Sequence, residues 1–167
     1  MDLRRLRRSP ALLCALTAPL LYAAVNLISF RIAAHPTGLN PWYEVPWNDT
    51  LLEDLDRAVA RARAVTVSLT VILATEAALL AALDRPGRRT TVAGGLAFVG
   101  SGLVYLLTLA LAVAVNPTTS PWRINDEYDL AALGPDWYMP ALIGVAVSAI
   151  AGVAVRVFTM VREGLTS

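Results

Sequence analysis

Lysine is missing from this sequence: all 14 basic side chains are arginine, and there is one cysteine and one histidine. A single cysteine excludes an internal disulfide, a paired-thiol redox motif and a cysteine zinc site. A single histidine excludes multi-histidine metal and haem arrangements. Charge is scarce too. Only 16% of the residues are charged and 56% are hydrophobic, against about 25% and 45–50% in soluble domains. That excludes a disordered chain and argues against a water-soluble globule. The arginine-only, alanine-rich composition matches GC-rich bacterial coding, so a bacterial chain is expected.

Catalytic signatures are lacking as well. There is no Ser-His-Asp set and no metal-ligand cluster. Gly94-Gly95 and Gly100-Ser101-Gly102 lie inside an apolar run, where neither a phosphate loop nor a dinucleotide fingerprint belongs. The arginine clusters are short and abut apolar runs, so they read as topology signals rather than as a nucleic-acid surface. No cofactor and no metal is expected.

What the chain does have is long apolar stretches. Four of them, at 10–34, 64–83, 91–115 and 139–161, each approach or exceed the roughly 20 residues needed to cross a bilayer as a helix. Backbone groups in lipid must bond within their own segment, and these runs neither alternate nor stop at strand length, so the spans are helices. The expected fold is all-α: one four-helix transmembrane domain over residues 1–167, with long connections at 35–63 and 116–138. The first apolar run, although preceded by Arg4, Arg5, Arg7 and Arg8, is too long for a typical signal-peptide core. Cys14 follows Ala11-Leu12-Leu13, without the small residue that precedes a lipidated cysteine, and is expected to be a buried apolar side chain.

Arginine placement gives a direction. The N-terminal cluster, Arg85, Arg88 and Arg89 of the short middle connection, and Arg162 near the C-terminus share one side. The long connections are acidic, carrying Glu44, Asp49, Glu53, Asp54 and Asp56 in one and Asp126, Glu127, Asp129 and Asp136 in the other. Both termini are therefore expected in the cytoplasm and both acidic loops outside, in a multi-pass protein of the bacterial cytoplasmic membrane. Arg57, Arg61 and Arg63 break the pattern, because they precede the second span on its outer side. Thr50-Leu51-Leu52-Glu53 has the form of a capping box, and Glu53, Arg57 and Arg61 repeat every four residues as ion-paired helix faces do. One helix over about 50–83 is expected.

The outer loops hold all the tryptophans. Trp42, Tyr43, Trp47, Trp122, Trp137 and Tyr138, set among prolines, are expected to build an outer cap that presents a docking surface, since Trp and Tyr concentrate in binding hot spots. Asn40-Pro41 with Pro46-Trp47 and Asn116-Pro117 with Pro121-Trp122 form a faint repeat, which suggests that the loops fold against each other. Residues 125–129 offer oxygen ligands but lack the glycine and closing glutamate of a calcium loop, and read as a solvated acidic segment.

Inside the spans, Glu76, Arg156 and Asn26 stand out, because ionisable groups in the bilayer are costly and mark sites or pairings. Glu76 and Arg156 fall at similar depth, so an ion pair between them is expected, with Asn26 bridging helices. Pro19 is expected to kink the first span. Gly144, Ser148 and Gly152 recur every four residues, as do Ala93, Ala97 and Ser101, and such small-residue faces allow close helix approach. Two functional readings follow. The first is a non-catalytic accessory or assembly subunit of a larger membrane complex, whose partners are the lipid bilayer and other membrane subunits or further copies of itself. The second is the protomer of an oligomeric channel or ion-coupled transporter with Glu76 in the pathway.

Overall fold

The computed structural model describes residues 10–34, 48–84, 92–115, 123–127, 130 and 133–165. Four helices carry almost all of them: α1 (Pro10–Ala33), α2 (Asp49–Leu83), α3 (Val92–Val115) and α4 (Tyr138–Leu165). Each is long and apolar enough to cross a membrane, so the chain is an all-helical bundle with the build of a multi-pass membrane protein. α1 and α3 match their apolar runs to within a residue at each end, and α2 matches the helix expected over about 50–83. The fourth helix continues to Leu165, past the end of its apolar run.

The second helix is the long one. Its 35 residues contain neither glycine nor proline, so nothing in the backbone interrupts the ladder. It starts differently from the expectation. Asn48, with extended backbone, accepts the Leu51 N–H on its side-chain oxygen at 2.8 Å. Asn48 therefore caps the helix and Thr50 lies inside it, a substitution between two side chains of comparable capping power. The ion-pair ladder also differs. Arg57 bonds Asp54, three residues back, at 2.7 Å, and Arg61 donates to the Arg123 carbonyl at 3.0 Å. Within α1, Pro19 does not end the helix.

The helices form a closed ring in which α1 and α3 each pack against both α2 and α4. Two hydrophobic cores follow from this. The first fills the bundle, with Ala15, Ala18 and Tyr22 of α1, Leu73, Ala77 and Leu80 of α2, Phe98, Tyr105 and Leu109 of α3, and Leu142, Ala149 and Val153 of α4. The second joins Phe30 and Ala33 of α1, Leu51, Leu55, Ala58, Val59 and Ala62 of α2, and Ile124, Leu130 and Leu133 from the segment before α4. The start of α2 thus meets the end of α1, as antiparallel neighbours must. The second core builds a cap at one end of the bundle, and the end of α2 and the start of α3 lie at the other.

Register fixes the levels. A Cβ added at Gly102 would lie 3.2 Å from Val153 Cγ1 and 3.9 Å from Leu80 Cδ2, so α2, α3 and α4 meet there. Tyr105, one turn further on and leaning back toward its helix start, donates to the Ala15 carbonyl at 2.5 Å, which brings α1 to the same level. Arg31, Ala64 and Trp137 each lie sixteen residues toward the cap from Ala15, Leu80 and Val153, about 24 Å at 1.5 Å per residue. Asp84 and Arg156 lie about one turn the other way. The distance between these two levels is about 30 Å, the thickness of a hydrocarbon core.

Candidate functional site

Four polar connections tie the helices of the bundle, and each involves a residue that apolar surroundings would otherwise reject. Asn26, fully buried, donates from its side-chain amide to the Tyr22 carbonyl one turn back at 2.8 Å. Its side-chain oxygen accepts the Tyr138 hydroxyl at 2.8 Å. Asn26 therefore bridges α1 to the first residue of α4, the helix-bridging role expected of it. Tyr138 itself is 3% exposed. It was expected on the docking surface and instead points into the bundle, because its phenol reaches the buried amide at the cost of no unpaired group.

Glu76 is partly buried, about two turns into the hydrocarbon from the Asp84 level. Its Oε1 accepts the Thr108 hydroxyl of α3 at 2.9 Å. Its Oε2 is buried and has no hydrogen-bond partner among the described residues, as is also true of the Tyr22 hydroxyl and Thr66 Oγ1. Tyr105 stands within electrostatic range of the carboxyl and spends its own proton on Ala15 across the bundle.

The expected Glu76–Arg156 pair is not formed. Arg156 donates from Nε and Nη2 to one oxygen of Asp84, at 2.9 and 2.6 Å, and both side chains are buried, at 9% and 10% exposure. Thr159 receives a further bond from Arg156 Nη1 at 3.2 Å. The reason is vertical distance: Glu76 lies one turn above the level where Leu80 meets Val153, whereas Arg156 lies one turn below it. Asp84, which also ends α2 by donating its backbone N–H to Leu80, is level with the guanidinium. Sequence reasoning passed over Asp84 because it opens an otherwise basic connection. An acid standing alone there, at the depth of an intramembrane arginine, was the available signal.

The four connections differ in geometry. Asn26–Tyr138 and Glu76–Thr108 join neighbours in the ring, whereas Tyr105–Ala15 and Arg156–Asp84 cross it diagonally. Together they hold all four helices at three depths. The small-residue faces contribute less. Gly144 and Ala97 are exposed, Ser148 and Ser101 are half-buried and only Gly152 is buried. A spacing of four drifts by about 40° per step on a 3.6-residue helix, so the α4 series rotates from the outer surface at Gly144 into the bundle at Gly152. The close approach falls at Gly102.

On the cap, Trp137 is 43% exposed. Trp42, Tyr43, Trp47 and Trp122, together with both copies of the faint repeat, lie outside the described residues. Asn125 accepts the Glu127 N–H at 2.9 Å, so its side chain shapes the turn, and no group of three metal-binding side chains exists among the described residues. Cys14 is exposed on α1, not buried. Between α3 and α4 runs an open groove of about 460 Å³ lined by Val99, Leu103, Leu106, Ile150, Val157 and Phe158 among others. Its lining offers no chemistry beyond apolar contact.

No family model matches this chain, and no curated protein or solved structure matches it either.

Proposed function

We propose that this chain is a non-catalytic accessory or assembly subunit of a larger membrane complex. In this reading both termini face the cytoplasm of a bacterial cell, the acidic cap faces outward, and docking uses the cap and the outward helix faces. One observation carries it: the protein invests a separate hydrophobic core in a cap that stands clear of its membrane span. The first fourteen residues of α2, together with Ile124, Leu130 and Leu133, hold Glu53, Asp56, Arg57, Trp137 and Leu52 exposed on a rigid base. Meanwhile Tyr22, Leu73 and Tyr105 lie fully buried in the bundle interior. The chain's material goes into presenting a surface rather than lining a passage.

The test is purification of the whole chain from its native membrane in mild detergent, followed by native mass spectrometry. A stoichiometric foreign subunit is expected, released by Trp137→Ala and retained by Glu76→Gln. A homo-oligomer with no foreign subunit, unaffected by the cap substitution, overturns the reading.

A second reading, a protomer of an ion-coupled channel or transporter, has one observation in its favour: the buried, unpartnered Oε2 of Glu76. An ionisable group so placed marks an ion or proton path more often than chance. Flux across liposomes that is lost in Glu76→Gln supports this second reading, and equal flux in both proteins removes it.

A further inference from the structure

We propose that the arginines at the foot of the cap grip the phosphates of anionic phospholipids in the leaflet on the cap side. Arg61, Arg63 and Arg123 form this grip. They include the residues that break the charge rule, since a purely topological role would place them at the opposite end of the span.

The level of these side chains is set by the register. Arg63 adjoins Ala64, which shares the upper edge of the 30 Å slab with Trp137. Arg63, Val67 and Val71 follow one another at intervals of four on a single exposed stripe, with the valines 53% and 60% exposed. Bare aliphatic surface therefore begins one turn, about 6 Å, below the guanidinium. A long cationic side chain at that height extends into the headgroup layer.

The second observation is pairing. Arg61 donates to the Arg123 carbonyl at 3.0 Å, so two cationic residues from different elements are fastened side by side. Among the described residues neither Arg61, Arg63 nor Arg123 has a carboxylate partner, whereas Arg57, one turn higher, is taken by Asp54. The acids of α2, Glu53, Asp54 and Asp56, lie toward the far end of the cap; Asp126 and Glu127 follow Arg123 in its own segment. The bond seats the Arg61 guanidinium against the Arg123 backbone, and guanidinium groups not taken by a carboxylate are complementary to phosphate, whose oxygens accept parallel N–H bonds.

The experiment uses the full chain in vesicles of phosphatidylcholine with or without phosphatidylglycerol, with the lipids retained on the protein counted by native mass spectrometry. The ratio of retained phosphatidylglycerol to phosphatidylcholine is expected to exceed the bulk ratio by at least about ten-fold, well within the roughly hundred-fold that one full increment per arginine would give. The combined Arg61→Gln, Arg63→Gln and Arg123→Gln substitution is expected to return the ratio to bulk, and lysine at the same positions, which keeps the charge and loses the parallel N–H bonds, to keep part of it. Arg57→Gln is expected to leave it unchanged. Absence of enrichment in the unaltered protein overturns the proposal without any variant. So does enrichment that survives the triple glutamine substitution, or enrichment abolished by free inorganic phosphate, which marks a soluble-anion site.

Discussion

Asp84 and Arg156 neutralise each other at the edge of the hydrocarbon, and the cost of breaking that arrangement is one-sided. Asp84→Asn leaves a guanidinium buried without its counter-charge, which costs about 3 kcal/mol. Adding Arg156→Met to Asp84→Asn is expected to recover most of that loss, and unfolding in mixed detergent micelles reads both. A double variant that is weaker than the single one contradicts the pairing. Tyr138→Phe removes one interhelical bond to Asn26 and is expected to cost about 0.6 kcal/mol, with an upper range near 1.7. The polar positions themselves were legible, because Asn26, Glu76 and Arg156 interrupt apolar runs. Their partners were not. Which side chains meet across a bundle depends on vertical register, and a periodic pattern leaves register free. About two helical turns, the eight residues from Glu76 to Asp84, separate the expected Glu76–Arg156 pair from the actual Asp84–Arg156 pair.

At the scale of elements, two glycines with similar sequence settings behave oppositely. Gly102 is the point where α3 meets α2 and α4, with Val153 Cγ1 at 3.2 Å from an added Cβ. Gly102→Leu is expected to cost about 1–3 kcal/mol through overpacking. Gly144 has nothing within 4 Å of an added Cβ, so Gly144→Ala is expected to be neutral or slightly stabilising. The four-residue spacing drew attention to Gly144 and left Gly102 among its neighbours, because spacing reports a face and not what that face touches. The second helix was legible almost to the residue, since no glycine or proline breaks it between its start and Leu83. Only its capping residue moved, to Asn48. Leu55 lies 2% exposed in the cap core, and Leu55→Ala is expected to cost about 2–5 kcal/mol, confined to the cap. Limited proteolysis is expected to cut cap segments of this variant early, with the four spans left intact.

At the scale of the whole molecule, the count of spans and their all-helical character came directly from four apolar runs. The second hydrophobic core did not. Ile124, Leu130 and Leu133 are spread through an acidic segment, and nothing in their local spacing announces that they seat on the exposed start of α2. The direction of insertion is testable in intact cells. In a Cys14→Ser background, an impermeant thiol reagent is expected to label Ser120→Cys and to miss Thr90→Cys; the reverse pattern inverts the proposed orientation. The continuous α2 helix has a mechanical consequence. Its 35 residues run about 52 Å from the cap's far end to the Asp84 latch without a glycine or proline at which to hinge. A load placed on the cap by the proposed partner would therefore meet a helix with no built-in hinge, whose far end the Asp84–Arg156 pair couples to α4.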